Sequence, residues 1–164
     1  FGNSRHASLA AQQYAIDNAS RIKGLGPHSW GMSASISPTT GYSGHYGSHP
    51  IGLGHKLLED GTVAPYGALS FLPFTPKESI AALEHMYNIP GLVGKYGLYD
   101  AYSYATKAQG DQPWIAKSYL GIDKGLVLLM FENYSTQLIW KLLHRNVHIR
   151  KGLSVLQFEH KPNG

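Results

Sequence analysis

The segment from Tyr119 to Tyr134 constrains the fold more than any other part of the sequence. Its centre, Leu126–Phe131, has no polar side chain, and two carboxylates bracket it, Asp123 before and Glu132 after. A run of this kind predicts a helix that is buried over most of its surface. Burying a carboxylate near such a helix costs free energy, so we expect each acid to have a partner or a chemical role. Sites that cleave sugars are one setting in which carboxylates are held in this way.

Composition excludes several classes of protein. The 164 residues suffice for one ordinary domain, and 43% hydrophobic with only 15% charged residues argues against disorder. Cysteine is absent, which excludes disulfides, thiolate metal sites and a cysteine nucleophile. No apolar run approaches the roughly 20 residues that cross a bilayer. The chain begins at Phe1 without a secretion signal, so we interpret it as a processed or partial chain.

The net charge of +4 comes from scattered cations, except for a basic cluster between Lys141 and Lys151. A solvated helix face is the favoured interpretation of this cluster, and a phosphate-binding patch is the alternative. The aromatic residues of the chain could stack on nucleic-acid bases. The segment that holds many of them is poor in lysine and arginine, however, so we expect no nucleic-acid partner.

Apolar periodicity predicts a mainly helical chain. The predicted helices span residues 3–19, 62–72, 75–90, a segment from about residue 123 that includes the apolar run, 137–145 and 147–157, with a short helix at 98–105. The helix at Thr75 has the clearest start, with Pro76 at its first position and Glu78 at its third. Its expected inner face contains Ile80, Leu83, Met86 and Tyr87.

The segment 28–61 is rich in glycine, serine, tyrosine and histidine and has no apolar period. Long segments without structure are uncommon inside compact domains and are usually functional or disordered. Its aromatic residues argue against disorder, so we expect an ordered surface loop that lines a cleft. No alternating run is long enough to predict a sheet, and the expected fold class is therefore all-α.

Asp123 precedes Lys124-Gly125 at an expected helix N-terminus, where the helix dipole favours an ionised carboxylate with a low pKa. Such a group suits a base or a ligand for a sugar hydroxyl. From the residues alone, a plain helix cap worth about 1 kcal/mol is the favoured alternative.

Glu132 follows an apolar run, so desolvation should raise its pKa and suit it to donate a proton. A structural glutamate that bonds neighbouring backbone is the alternative there.

Asp100 lies between Tyr99 and Tyr102 along the chain, and aromatic faces beside a carboxylate suit a sugar ring. A local turn cap explains Asp100 equally well, and Asp60 has the sequence context of a turn. His45, His49 and His55 raise the possibility of zinc, but the glycines and proline among them argue against a shared helix face. We therefore predict no metal site.

Seven blocks of sequence, taken together and in order, resemble a known family. They read Trp30-Gly-Met-Ser-Ala-Ser, Gly41-Tyr42, Asp60-Gly-Thr-Val-Ala-Pro, Ser70-Phe-Leu-Pro-Phe-Thr-Pro-Lys-Glu-Ser, Gly94-Lys-Tyr-Gly-Leu-Tyr-Asp-Ala-Tyr, Tyr119-Leu-Gly-Ile-Asp-Lys-Gly and Met130-Phe-Glu-Asn-Tyr. This order resembles the glucoamylase-like domain of bacterial β-1,2-glucanases, grouped as glycoside hydrolase family 144. The resemblance covers nearly the whole chain, 1–164, as a single domain.

The resemblance implies an (α/α)6 barrel of two concentric helix rings, hydrolysis of β-1,2-glucan with inversion, and no metal or other cofactor. It maps Asp123, Glu132 and Asp100 onto acidic positions of the family motifs. We take Asp123 and Glu132 as candidate catalytic residues, with Asp123 activating water, and we place the proton donor first in the missing part of the barrel and second at Glu132. The candidate substrate-binding residues are Trp30, Tyr42, His45, Tyr46, Tyr66, Tyr99, Asp100, Tyr102 and Trp114.

The chain departs from the family pattern at several positions. Ile36 stands where the family has an aspartate. Lys124 stands where the family has a glutamine, and its positive charge next to Asp123 should keep Asp123 ionised.

A barrel of about twelve helices, at roughly 15 to 25 residues each, needs about twice the length of this chain. We therefore expect the C-terminal half of a barrel, incomplete at its N-terminus, whose exposed apolar faces are covered by the remaining half or by a partner subunit. The expected substrate is a glucan or oligosaccharide, and the family suggests a periplasmic or secreted location. The alternatives are a non-catalytic glycan-binding or assembly domain and a transglycosylase.

Overall fold

A computed structural model describes residues 2–48 and 57–158. Helices and short strands alternate along the chain in the order α1 Gly2–Asp17, β1 Ser35–Ser37, β2 Gly41–Ser43, β3 Thr62–Val63, α2 Pro65–Leu69, α3 Pro76–Tyr87, β4 Val93–Gly94, β5 Gly97–Leu98, β6 Ala101–Ser103, β7 Trp114–Ala116, α4 Gly121–Ser135, α5 Leu138–Arg145 and α6 Val147–Val155.

The all-α prediction is wrong, because the described residues contain three small antiparallel sheets beside the helices. Strands β1 and β2 form a hairpin, β4 and β5 form a second one, and β3, β6 and β7 form a three-stranded sheet in the order β3-β6-β7. Each strand has only two or three residues. An alternating pattern needs about four residues to be recognised, so strands this short leave no periodic signal in the sequence.

The predicted helices at both ends of the chain are confirmed, whereas two central ones are wrong. The predicted helix 62–72 is in fact strand β3 followed by the single turn of α2, which begins at Pro65. The predicted helix 98–105 is replaced by β5 and β6. Valine, threonine and tyrosine occur in these strands, and such residues favour a pleated, half-buried surface once a partner strand is present.

The predicted inner face of helix α3 is confirmed at Met86 and Leu83, which pack in the core, and is wrong at Ile80 and Tyr87. Its buried residues are Ser79, Ala82 and Met86, whereas Ile80 is 40% and Tyr87 54% exposed. The Ser79 hydroxyl donates a 2.9 Å hydrogen bond to the carbonyl of Ala68 in α2. The close approach at Ser79 therefore suits small residues, whereas Ile80 and Tyr87 face outward.

Trp30 and Met86 lie at the centre of the core, and neither has exposed surface. Next to Trp30 the backbone crosses α2 at very short range. Gly31 has a φ of +105°, and a Cβ there would come within 2.6 Å of the Ala68 nitrogen. A Cβ at Gly67 would come within 2.3 Å of the Gly31 carbonyl oxygen. Two facing glycines therefore fix the position of α2 relative to the core.

Helices α4, α5 and α6 present apolar side chains to the outside. The exposed ones are Ile122, Leu128, Leu129, Tyr134, Leu138, Leu142, Leu143, Val147 and Val155, followed after the end of α6 by Leu156 and Phe158. Exposed apolar side chains in this number are typical of a contact site. None of the helices in the described part of the chain has both the length and the apolar character of a bilayer-crossing segment.

Candidate active site

Asp100 is held in the link between β5 and β6, where it is 3% exposed. Its backbone N–H donates to the Ala116 carbonyl of β7 at 3.3 Å. Its Oδ2 accepts a 2.8 Å hydrogen bond from the backbone N–H of Ile36 in β1. Its Oδ1 is buried and has no hydrogen-bond partner among the described residues. The carboxylate is therefore anchored on one side and has acceptor capacity on the other.

Asp123 lies in the first turn of α4 and is 6% exposed. Leu120 occupies the cap position of this helix, so Asp123 is not its N-cap. Burial first, and then the proximity and negative charge of Asp100, raise the pKa of Asp123 to about 6, against the opposing charge of Lys124. The expected low pKa is therefore wrong, since desolvation and a second acid outweigh the helix dipole.

Lys124 extends from α4 toward the same region. Its ammonium group donates a hydrogen bond to the Leu98 carbonyl at the end of β5 and lies 5.7 Å from the centre of the Tyr119 ring. Burial lowers the pKa of Lys124, while the negative charges of Asp100 and Asp123 act in the opposite direction. One cation is thus held beside two acids, with its ammonium bonded to backbone.

Tyr66 on α2 faces the two acids. Its hydroxyl is 2.7 Å from the Ser33 hydroxyl and donates to the Ala34 carbonyl at 3.0 Å. Burial raises the pKa of Tyr66, the Ser33 hydrogen bond lowers it, and the charges of Asp123, Tyr42 and Asp100 raise it. Tyr42 on β2 is 60% exposed and offers an open ring beside this group. The structure therefore brings together four of the predicted site residues, Tyr42, Tyr66, Asp100 and Asp123.

A cluster of tyrosine rings adjoins Lys124. Tyr99 and Tyr119 have ring centres 5.0 Å apart, and Tyr96 meets Tyr119 edge-on at 5.4 Å. Gly94 in the β4–β5 hairpin leaves room for them, because a Cβ there would lie 2.2 Å from the Tyr119 hydroxyl. Of these three rings, only Tyr99 is among the predicted site residues.

Three predicted sugar-stacking residues are instead buried. Trp30 is fully buried in the core, and Tyr102 is 1% exposed, with its hydroxyl 2.8 Å from that of Ser29. Tyr46 is also buried and donates a 2.7 Å hydrogen bond to Asp60 Oδ2. Each ring packs inside the protein, which leaves no open face for a sugar. Sequence alone could not separate these rings from Tyr42, because all lie in similar glycine-rich or polar contexts.

Glu132 lies on the same helix as Asp123 but away from it. Nine residues separate the two, which corresponds to about 14 Å along the axis and a rotation of about 180°. The Glu132 carboxylate accepts a hydrogen bond from the Thr136 hydroxyl one turn further on. The structure therefore does not bring Asp123 and Glu132 to one site.

The remaining predicted residues lie at the edges of this region. His45 is exposed and lines an open depression with Tyr42, and Trp114 on β7 is half-buried. Of the histidines considered for zinc, His49 and His55 lie outside the described residues. Within residues 2–48 and 57–158, no group of three or more histidine and acidic side chains is placed to hold a metal ion.

Sequence reasoning missed three contributors, Ser33, Tyr119 and the backbone of Ile36. Tyr119 stands in the same motif as Asp123, and that proximity was the available signal. No sequence signal identifies the backbone N–H of Ile36, because it acts through a contact with a residue 64 positions away.

Comparison with known proteins gives a consistent set of relatives. The chain is 31% identical over 159 residues to an exo-β-1,2-glucooligosaccharide sophorohydrolase (non-reducing end) of Parabacteroides distasonis, covering 96% of this chain and 20% of that protein. An endo-β-1,2-glucanase structure from Chitinophaga pinensis, a sophorotriose and glucose complex, matches 90% of this chain and 32% of its own, with 36% identity and a TM-score of 0.73.

A β-1,2-glucanase structure from Parabacteroides distasonis matches 93% of this chain and 20% of its own, with 30% identity and a TM-score of 0.75. The chain thus spans between a fifth and a third of the length of these relatives. Residues 1–147 match the sequence profile of the Glycoamylase family, described as "Putative glucoamylase". Because that match extends over most of its length, the chain belongs to the Glycoamylase family.

Proposed function

We propose that this chain forms part of the catalytic domain of a glycoside hydrolase that cleaves β-1,2-linked glucan. The observation that carries the proposal is the buried pair of Asp100 and Asp123 beside Tyr66 and the exposed ring of Tyr42. Acidic groups next to an aromatic face match what a pyranose ring needs, namely hydroxyl acceptors and a surface for its C–H groups. The β-1,2-glucan activity of the related proteins supports this substrate class.

In this proposal Asp123 is the group that activates water, directly or through a sugar hydroxyl. Its pKa of about 6 supports the role, because a general base works best when its pKa lies close to the working pH. Tyr66 and Asp100 fix the position of Asp123, and Tyr42 stacks on the sugar. Tyr99 and Trp114 remain candidates for contacts further along the glucan chain.

The proton donor is proposed to come from a part of the protein outside these 164 residues. Acid and base carboxyls that flank a sugar lie about 5–5.5 Å apart in retaining enzymes and about 6.5–9.5 Å in inverting ones. The side chains of Asp100 and Asp123 lie within hydrogen-bonding reach of each other, which is too close for either arrangement, and Glu132 is too far away. The greater length of the relatives supports a second acid elsewhere. The exposed apolar faces of α4–α6 likewise support a covering segment of a larger domain.

The test is to assay the full-length protein on β-1,2-glucan and to separate the products by chromatography. Asp123→Asn should lower kcat by roughly 100-fold or more, because it removes the base. Glu132→Gln is the matched control, since it makes the same change on the same helix and should retain nearly full activity. Full activity in Asp123→Asn would overturn the proposal. Products longer than the substrate would indicate a transglycosylase, and binding without cleavage would indicate a glycan-binding domain.

A further inference from the structure

Asp100 and Asp123 reach each other from different elements, one from the link before β6 and the other from the first turn of α4. Both are almost fully buried, and their side chains lie close enough to each other for a hydrogen bond. Two carboxylates that are both ionised have no proton with which to form that bond, and they repel strongly inside a protein. The contact therefore requires one proton on the pair.

The remaining contacts indicate which acid holds it. Asp100 Oδ2 already accepts the Ile36 N–H at 2.8 Å, so this acid has a backbone donor. Asp123 has no such donor, and its Oδ2 is buried without a partner in the described part of the chain. Asp100 Oδ1 is also buried and has no partner there. A proton on Asp123 would supply the missing donor to an otherwise unsatisfied pair.

Lys124 completes the charge balance. Its ammonium acts on both acids while it is bonded to the Leu98 carbonyl. Two carboxylates, one lysine and one shared proton give a net charge of zero, which is the state with the smallest desolvation penalty in a buried cluster. The other titratable groups that face this cluster are Tyr66 from α2 and Tyr119 beside Lys124, and Tyr42 faces Tyr66 from β2.

We propose that Asp123 carries a proton that it shares with Asp100, that Lys124 neutralises the pair, and that Asp100 is thereby a positioning residue for Asp123. The catalytic meaning of this inference rests on the proposed function, in which the loss of that proton to water produces the active base. The protonation pattern itself requires no turnover, so it can be measured whether or not the protein cleaves glucan.

The experiment follows the side-chain carboxyl carbons of the protein by 13C NMR during a pH titration, with aspartate labelled at that carbon. Asp100→Asn and Asp123→Asn variants assign the signals. In the unmodified protein we expect the Asp123 carbon to titrate near pH 6. Asp100→Asn removes the repelling charge, so the Asp123 midpoint should fall by about one pH unit or more.

Lys124→Gln should move the same midpoint in the opposite direction, because it removes the charge that opposes protonation. It also keeps the test decisive if Asp100→Asn does not fold. Lys95→Gln is the matched control, since Lys95 is exposed and lies over Tyr96, and it should leave the midpoint unchanged.

A midpoint that stays in place or rises in Asp100→Asn, or one that fails to rise in Lys124→Gln, overturns the inference. If the Asp123 midpoint falls in Asp100→Asn and rises in Lys124→Gln but the protein does not cleave glucan, the shared proton is supported and the proposed function is wrong. If glucan cleavage depends on Asp123 but the midpoint does not shift in these two directions, the proposed function is supported and the shared proton is wrong.

Discussion

The backbone N–H of Ile36 donates a 2.8 Å hydrogen bond to Oδ2 of Asp100, and this bond ties the β1–β2 hairpin to the β5–β6 link that carries the buried acid. Ile36 is the position at which the resemblance implies an aspartate, and its side chain offers no carboxylate to a sugar. Its backbone nevertheless contributes to the acid pair. The absence of a carboxylate at position 36 therefore does not separate the β1–β2 hairpin from the site, because the backbone N–H still bonds to Asp100.

Trp30 and Tyr42 should respond to substitution in opposite ways. Trp30→Phe should lower the free energy of unfolding by about 1–3 kcal/mol, because Trp30 is fully buried in the core. The affinity of the folded Trp30→Phe variant for β-1,2-glucooligosaccharides, measured by calorimetry, should equal that of the unmodified protein. A loss of affinity without a loss of stability would show that Trp30 contacts the sugar.

Tyr42→Ala should show the reverse pattern. Tyr42 is 60% exposed, so its removal should change stability by no more than about 0.5 kcal/mol. Loss of one stacking face should weaken oligosaccharide binding by roughly fivefold, which corresponds to about 1 kcal/mol. Tyr42→Phe keeps the ring and should bind nearly as well, which separates stacking from hydroxyl contacts.

Stability should depend on pH through Asp123. Its pKa rises from 3.8 to about 6 on folding, so the folded state binds the proton more tightly than the unfolded state. The stabilising contribution is therefore complete below about pH 4 and is lost as the pH rises through about 6. Urea unfolding of the protein and of Asp123→Asn should show the variant gaining relative stability between pH 4 and pH 6. A stability difference that does not vary with pH would contradict the raised pKa of Asp123.

Gly31→Ala should be strongly destabilising, by about 2 kcal/mol or more, because φ is +105° and the added Cβ would meet the Ala68 nitrogen at 2.6 Å. The same change at Gly125 provides the comparison. Gly125 lies within α4, and a Cβ there meets nothing within 4 Å, so Gly125→Ala should stabilise by about 0.5–1 kcal/mol. Thermal unfolding of both variants measures the contrast, and equal effects would contradict the described crossing of α2.

Asp60→Ala should lower the free energy of unfolding by about 1–3 kcal/mol. Asp60 Oδ2 accepts the Tyr46 hydroxyl at 2.7 Å, and Oδ1 accepts the Thr62 N–H at 3.0 Å. Both donors would lose their partner in a partly buried region. Asp60→Asn retains one acceptor and should cost less. If both variants unfold at the same urea concentration as the parent, these hydrogen bonds carry no net stability.

Sequence reasoning found the helices with long apolar periods and the family motifs, because both are local along the chain. The start of α3 at Pro76 and the presence of α4 follow from neighbouring residues alone. The protonation of Asp123 does not, since it depends on Asp100 from another element and on burial by the whole fold. The strands remained hidden for a related reason, because Thr62–Val63 forms a strand only through pairing with residues 102 and 103.

The contact between Asp100 and Asp123 links the chemistry of the acid pair to the docking of the first turn of α4. A transient opening that lifts this turn from the sheet hydrates Asp123 and restores its ordinary acidity. Opening then releases a proton, so raising the pH from about 4 to about 6 favours the lifted state. Amide hydrogen exchange around Asp123 should consequently accelerate with pH more steeply than the intrinsic chemistry of exchange, whereas the middle of α3 should follow the intrinsic rate.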